Sequence, residues 1–190
     1  MLTFKCDVTK EEDVKYAVES TVKEWGAVHV ALTSAGVNIP FLTLTSRSPM
    51  NIPLFEKTMN INFWGSVYVA KYAAVAMAKN TPDAKGERGL ICFVSSIASE
   101  DAERGQIAYG SSKAAIKGLV LPMARDLGKF GIRAVSIAPG VFKTPMGDKM
   151  PSKRYTDKLM NDTPMRRPGD PKEFSHFVQT IIENSYINGV

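Results

Sequence analysis

The sequence is poor in the residues that build several classes of site. Its 190 residues include two cysteines, Cys6 and Cys92, and two histidines, His29 and His176. Cysteines so far apart match neither a disulfide framework nor a C-x-x-C redox or zinc spacing, and they suit a reducing compartment. Two histidines leave a histidine-based metal centre without ligands, so no metal is expected. No apolar run reaches the length of a membrane-spanning helix, so no membrane partner is expected. Met1 to Lys5 lacks the apolar stretch of a secretory signal, and acidic Glu11, Glu12 and Asp13 follow where a transit peptide is acid-poor. No G-x-G-x-x-G turn occurs. The net charge of +5 is mild and scattered, with Arg166-Arg167 a hint of a basic cluster rather than the stripe that nucleic acid requires. With 44% hydrophobic and 23% charged residues, the chain reads as a single globular domain over residues 1–190.

Short apolar runs alternate with amphipathic helical patterns. Thr9-Lys10-Glu11-Glu12 has the form of a capping box. Behind it Val14, Ala17, Val18, Thr21, Val22 and Trp25 share one helical face, and Gly26 ends the helix. Val28 to Thr33, Leu90 to Ser95 and Arg133 to Ala138 read as buried parallel strands. Helices are expected at about Leu54 to Lys79 and Ala108 to Phe130, the second with Pro122 inside it. Val141 to Gly169 is a proline-rich variable segment expected to fold over a site. Asp170-Pro171-Lys172-Glu173 is a second capping box, followed by a stripe of Phe174, Phe177, Val178, Ile181 and Ile182. The chain stops at Val190 with no closing element visible. Strands alternating with helices imply an α/β fold with a parallel sheet. Ligands of such sheets bind beyond the carboxyl ends of the strands, here Ser34-Ala35-Gly36, Ser95-Ser96 and Pro139-Gly140.

One spacing carries chemistry. Tyr109 and Lys113 stand at i and i+4, on one face of a helix. An ammonium beside a phenol favours the phenolate, so the pair predicts a lowered phenol pKa and a general acid/base. Singly, the accompanying residues have plain readings. Ser96 is a cap, Asn62 a satisfied polar group at a helix start, Pro139-Gly140 a turn. Their joint order, with Ser96 thirteen residues before Tyr109 at the ligand edge, points to a site.

These residues resemble those of the short-chain dehydrogenases/reductases. The resemblance rests on Asp7-Val8, Ser34-Ala35-Gly36, Asn62-Phe63-Trp64-Gly65, Ser96, Tyr109 with Lys113, and Pro139-Gly140 with Thr144. Within that family the chain is most similar to the type 2 3-hydroxyacyl-CoA dehydrogenases, also called 17β-hydroxysteroid dehydrogenase type 10. That likeness lies in Asn80 to Asp83, Gly86 to Gly89, Leu121 to Leu127, Ile137 to Pro145 and Gly169 to Asn184. The resemblance implies a Rossmann-like, doubly wound parallel sheet. It implies Tyr109 as proton donor and acceptor, Ser96 on the reacting substrate oxygen, Lys113 on the nicotinamide ribose, and Asn62 holding a water in the relay behind Lys113. Cofactor contacts are implied for Asp7, Val8, Ser34, Ala35, Gly36, Pro139, Gly140, Phe142 and Thr144, with Val141 to Gly169 as substrate lid. The cofactor implied is NAD, with NADP left open. The substrate is a secondary alcohol or its ketone, an acyl-CoA before a steroid, and the assembly a homo-oligomer in the mitochondrial matrix.

Against that pattern the family's first βαβα portion, with its glycine-rich phosphate turn, and its last strand are expected to be lacking. Thr33 stands where many members carry an asparagine that braces the central strands. Rival readings are a non-catalytic scaffold subunit, of the kind used in mitochondrial tRNA processing, and an inactive fragment. Within enzymes they are a hydroxysteroid dehydrogenase or a 3-oxoacyl-thioester reductase. Only the scaffold reading involves nucleic acid.

Overall fold

The computed structural model describes residues 1–148 and 153–190. They form two compact units, Met1–Ala138 with Ser185–Val190, and Pro139–Asn184.

The first unit is built on a parallel sheet in the order β1 (Val30–Thr33), β2 (Gly89–Val94), β3 (Ile132–Ile137). Val30 pairs with Leu90 and Thr33 with Phe93, while Gly89 pairs with Ile132 and Val94 with Ile137. β2 lies between two strands, and Leu90, Ile91, Cys92 and Phe93 are all buried, as an unbroken apolar run predicts for a central parallel strand. β1 alternates instead. Val30 and Leu32 are exposed, and Ala31 and Thr33 face inward.

Four α-helices accompany the sheet in this unit. α1 (Glu11–Trp25) ends at Gly26, whose left-handed φ of 80° lets its N–H reach the Val22 carbonyl at 2.8 Å. α2 (Ile52–Met59) starts at Asn51, whose side chain accepts from the Leu54 N–H. It runs through a π-turn (Asn60–Trp64) into α3 (Gly65–Met77). α4 (Ile107–Gly128) continues through Pro122. The core lies where α3 and α4 meet the sheet, with Ala70, Ala73, Met77, Ile91, Phe93, Ile116, Val120 and Ile132 at its centre. Fully burying a side chain such as Phe93 stabilises by about 1.5–3 kcal/mol relative to leaving it in water. α1 is pinned to α3 by Glu11, whose Oε1 accepts from Lys71 Nζ at 2.6 Å and from the Tyr72 hydroxyl at 2.9 Å.

The segment Asn188 to Val190 lies along β3. The Gly189 N–H reaches the Ala134 carbonyl at 2.9 Å, and the Ser136 N–H reaches the Val190 carbonyl at 2.7 Å. Buried Arg133 ties the same region together, bonding Glu87 through Nε and the Ile187 carbonyl through a terminal nitrogen, both at 2.9 Å. The chain end therefore packs as an extended edge, where the sequence showed no closing element.

In the second unit α5 (Pro145–Asp148) and α6 (Lys153–Asp162) precede α7 (Pro171–Glu183). Lys149 to Ser152 of the expected lid lie outside the described residues. The Asp170/Glu173 capping box is complete, with Pro171 in the first turn.

Three local expectations are corrected. Thr9 caps nothing. Its N–H and hydroxyl both turn back to Asp7 Oδ1, at 3.0 and 2.8 Å, so α1 begins at Glu11 behind Lys10, whose side chain makes no capping bond. Asn62 does not start a helix but sits inside the π-turn. Trp25, Phe177 and Ile182 lie on exposed edges of their stripes, while Val14, Val178 and Ile181 are buried.

Candidate active site

Asn62, buried completely, is the organising residue. The π-turn places its side chain against the segment that follows β1. Its Oδ1 accepts from the Val37 N–H at 2.8 Å, and its Nδ2 donates to the Val37 carbonyl at 2.9 Å. Nδ2 also donates to Ser112 Oγ at 2.9 Å, and that hydroxyl reaches the Tyr109 carbonyl at 2.7 Å. The Asn62 carbonyl accepts from Ser66 Oγ at 2.7 Å. One carboxamide thus clamps the β1 loop to the helix that carries Tyr109.

Lys113 is also buried, at 5% exposure. Its Nζ donates to the Val94 carbonyl at 2.7 Å and lies 5.7 Å from the Tyr109 ring centroid. Ser95 Oγ holds the Lys113 carbonyl at 2.8 Å. Burial pushes the ammonium pKa down from 10.5 to about 8. Ser96 opens a short 3₁₀ turn (Ile97–Ser99), and its Oγ accepts from the Ala98 N–H at 3.1 Å. It lies near enough to the Tyr109 phenol to pull its pKa downward. Gly110 permits the approach, because a Cβ there would meet Ala102 Cβ at 2.7 Å and the Ala98 carbonyl at 2.9 Å.

The expectation that Lys113 lowers the Tyr109 pKa is corrected. Burial raises the phenol above its ordinary 10, with the Ser96 hydroxyl pulling the other way. The ammonium is directed to Val94 and is itself pressed toward neutrality, so burial dominates both groups. The phenol is consequently protonated at neutral pH, in the form a general acid needs.

The first unit brings Gly36 to the same place. A Cβ on Gly36 would stand 3.3 Å from Asn62 Oδ1 and 3.7 Å from Lys113 Nζ. The bare backbone therefore leaves room beside the ammonium, which has three donors of which Val94 takes one. That room and those donors fit the hydroxyls of a nicotinamide ribose. Val8 sits over the start of α3, where a Cβ on Gly65 would come within 2.8 Å of Val8 Cγ2. Asp7 Oδ1 is taken by Thr9, and Ser34 and Ala35 are exposed at the end of β1. Pro139, Gly140, Phe142 and Thr144 belong to the second unit. There the Phe142 ring packs on Gly169 and edge-on against Phe174, 5.8 Å between centroids, and Thr144 Oγ1 accepts from the Gly147 N–H at 3.4 Å. A cavity of about 460 Å³ between α1 and α3, lined by Val18, Val22, Tyr72 and Ala76, contains none of the site residues.

Sequence reading placed Ser95 at the ligand edge but gave it no role, and missed Val37 and Ser112; these are the groups that hold Asn62 and Lys113 in place. Ser112, at i+3 from Tyr109, was the one with a signal, since that spacing returns a hydroxyl to the same helix face.

A protonated tyrosine with a serine nearby, beside a buried lysine at the carboxyl edge of a parallel sheet, points to the class of α/β oxidoreductases. The family model described as enoyl-(acyl carrier protein) reductase matches residues 1–190. The "3-hydroxyacyl-CoA dehydrogenase type-2" proteins of Bos taurus and Homo sapiens are 40% and 39% identical over 186 residues, covering 96% of this chain and 71% of theirs. The crystal structure of 3-hydroxyacyl-CoA dehydrogenase type-2 from Mycobacterium avium superposes with a TM-score of 0.88 at 33% identity, over 97% of this chain and 72% of that one. The structure of ElxO with NADP bound gives 0.84 at 28% identity, over 98% and 73%. The chain belongs to the short-chain dehydrogenase/reductase family of oxidoreductases and has its Rossmann-like α/β fold.

Proposed function

We propose that this chain interconverts a secondary alcohol and a ketone with NAD as cofactor, and that its substrate is a 3-hydroxyacyl-CoA, oxidised to the 3-oxoacyl-CoA. The observation that carries the reading is the Ser96–Tyr109–Lys113 cluster, with Tyr109 protonated, within the influence of the Ser96 hydroxyl and held on a helix that Asn62 clamps to the β1 loop. The substrate class and NAD rest on similarity to the type-2 dehydrogenases; a structural neighbour holds NADP.

A bound nicotinamide ring supplies or accepts the hydride. In the reduction direction the Tyr109 phenol gives its proton to the carbonyl oxygen as that oxygen gains charge, and in oxidation Tyr109 must first shed its proton so that the phenolate takes that of the substrate hydroxyl. The Ser96 hydroxyl, fixed by Ala98, donates to the same oxygen and stabilises the developing alkoxide. Lys113 would hold ribose hydroxyls with the donors that Val94 leaves over, and its charge lies near the phenol. Asn62 keeps the β1 loop and the Tyr109 helix in register. By the resemblance, Asp7, Val8, Ser34 and Ala35 would hold the adenosine half of the cofactor, and Pro139, Gly140, Phe142 and Thr144 are the residues that would hold its nicotinamide half.

Two free cysteines, one buried, fit a reducing compartment, and the resemblance makes this the mitochondrial matrix. Among the described residues no helix is long and apolar enough to cross a membrane. Trp64, Val75 and Leu121 are exposed on the α2–α3 rod and on α4, which suits a homo-oligomer through these elements.

The test is NADH formation by the purified chain from 3-hydroxybutyryl-CoA, with a steroid alcohol and NADP as competitors. Loss of turnover in Tyr109→Phe with NADH binding retained supports the reading. No NADH binding by the wild-type chain in calorimetry overturns it and leaves the scaffold reading.

A further inference from the structure

Lys113 is tied to the end of β2 twice over. Its side chain reaches the Val94 carbonyl, with Nζ donating at 2.7 Å. Its own carbonyl, inside α4, accepts from Ser95 Oγ at 2.8 Å. Val94 and Ser95 are successive residues, so one strand end grips one helical residue by its backbone and by its ammonium. Ser95 is itself fixed. It is buried, and its N–H donates to the Ile137 carbonyl at 2.8 Å, which ties it to the end of β3.

The helix does not require the bond from Ser95. A carbonyl inside an α-helix already accepts the N–H four residues on, and the hydroxyl takes only its second lone pair. Alanine at position 95 would therefore leave no buried polar group without a partner, and burial alone does not explain a serine there. What the bond does is fix the height of α4 on the sheet at Lys113. That height matters because the ammonium sits on a flexible four-carbon stem and goes where its backbone and packing send it. Its place is narrow. Val94 lies on one side, and on another is the opening beside Gly36, where a Cβ would stand 3.7 Å from Nζ. A functional group held to such tolerances needs a supporting shell of packed, hydrogen-bonded neighbours.

We infer that Ser95 is a positioning residue for Lys113, whose hydroxyl, by holding the Lys113 carbonyl, sets where the ammonium meets the ribose of the nucleotide. This rests on the proposed function and adds to it a group that acts through Lys113.

The test pairs two variants of the 190-residue chain with side chains of one shape, Ser95→Thr, which keeps the hydroxyl, and Ser95→Val, which lacks it. The measurements are the Kd for NADH, kcat with 3-hydroxybutyryl-CoA at saturating nucleotide, and the pKa of Lys113 from its side-chain NMR signal without ligand. Ser95→Val should bind NADH about tenfold more weakly than Ser95→Thr, with kcat within about threefold, because a ribose contact serves ground and transition states alike. A hydroxyl with a purely structural role lowers the melting midpoint of Ser95→Val but leaves the two Kd values within about twofold, and that result overturns the inference. So does a kcat that falls as far as the affinity. If the wild-type chain takes up no NADH, the proposed function has failed, and the Lys113 pKa alone decides. Burial holds it at about 8, with the Tyr109 ring 5.7 Å away as its titratable neighbour. An ammonium released from the strand end is better hydrated, so its pKa rises toward 10.5. A value in Ser95→Val at least about 0.5 above that in Ser95→Thr supports the inference, and a smaller difference overturns it. Should Ser95→Val fail to fold, Ser95→Ala takes its place in the same comparison.

Discussion

Lys113 Nζ donates to the Val94 carbonyl at 2.7 Å from a setting so enclosed that its pKa falls to about 8. The fold therefore bears a cost for the charge of this lysine. Below about pH 8 the lysine is protonated in both folded and unfolded chains, and the whole penalty is present. Between about 8 and 10.5 the folded chain sheds its proton first. The unfolded chain then binds more protons, so stability rises with pH. Above 10.5 both forms are neutral and the penalty is gone. The gap between about 8 and 10.5 corresponds to about 3 kcal/mol. Lys113→Met should accordingly stabilise the chain at pH 7, by up to about 3 kcal/mol less the bond to Val94, while abolishing turnover. Urea unfolding at pH 7 and pH 10 checks it. The gain must shrink at the higher pH, and a variant less stable at pH 7 contradicts the argument.

Asn62 should behave oppositely. It satisfies both polar groups of Val37, 25 positions away in sequence, and Ser112 as well. Asn62→Leu keeps the volume but strands the Val37 N–H and carbonyl inside the protein, at a cost of about 2–4 kcal/mol. Asn62→Asp should be no better, because a carboxylate facing the Val37 carbonyl offers no donor. Denaturant midpoints for the two variants measure this. A loss under about 0.5 kcal/mol would mean that the β1 loop is held by something else.

Thr33 presents the reverse case, a buried hydroxyl with nothing to bond. Valine has the same shape without the hydroxyl. Thr33→Val should stabilise the chain by about 1 kcal/mol and raise the melting midpoint by a few degrees. Destabilisation by a similar amount would show the hydroxyl to be satisfied.

What could be read from the sequence was whatever local geometry determines. Tyr109 and Lys113 share a face because helical spacing is fixed, and Ser96 reaches the ligand edge because its strand ends there. Gly26 and the Asp170/Glu173 box mark helix ends with atoms a few positions apart. The Thr9 box failed for an equally local reason, since Asp7, two residues upstream, captures both the hydroxyl and the amide. The π-turn at Asn60–Trp64 left no pattern, because it serves a clamp on a residue far off in the chain. Periodicity found the helix faces but not their limits, as exposed Trp25 and Phe177 show. Spacing put an ammonium near the phenol, yet the direction of the Tyr109 shift depended on burial, which no spacing reports.

Gly110 links packing to turnover. A Cβ at this position would press on Ala102 at 2.7 Å and on the Ala98 carbonyl at 2.9 Å, and the Ala98 N–H is what fixes Ser96 Oγ. Neither neighbour is the free end of a flexible side chain, so Gly110→Ala must move the 3₁₀ turn away from α4. Overpacking of this kind costs about 1–3 kcal/mol in stability. The larger effect should fall on the chemistry. The displaced turn carries Ser96 away from the Tyr109 phenol, and a shift of about 1 Å in a catalytic group lowers the rate by roughly a hundredfold. Lys113, Gly36 and Asn62 do not move with that turn, so the Kd for NADH should stay within about twofold, well below a tenfold effect. Stopped-flow turnover beside calorimetric NADH titration separates the two quantities. Parallel losses in both would mean that the substitution disrupts the whole site, and unchanged turnover would mean that the distance from Ser96 to Tyr109 does not limit the reaction.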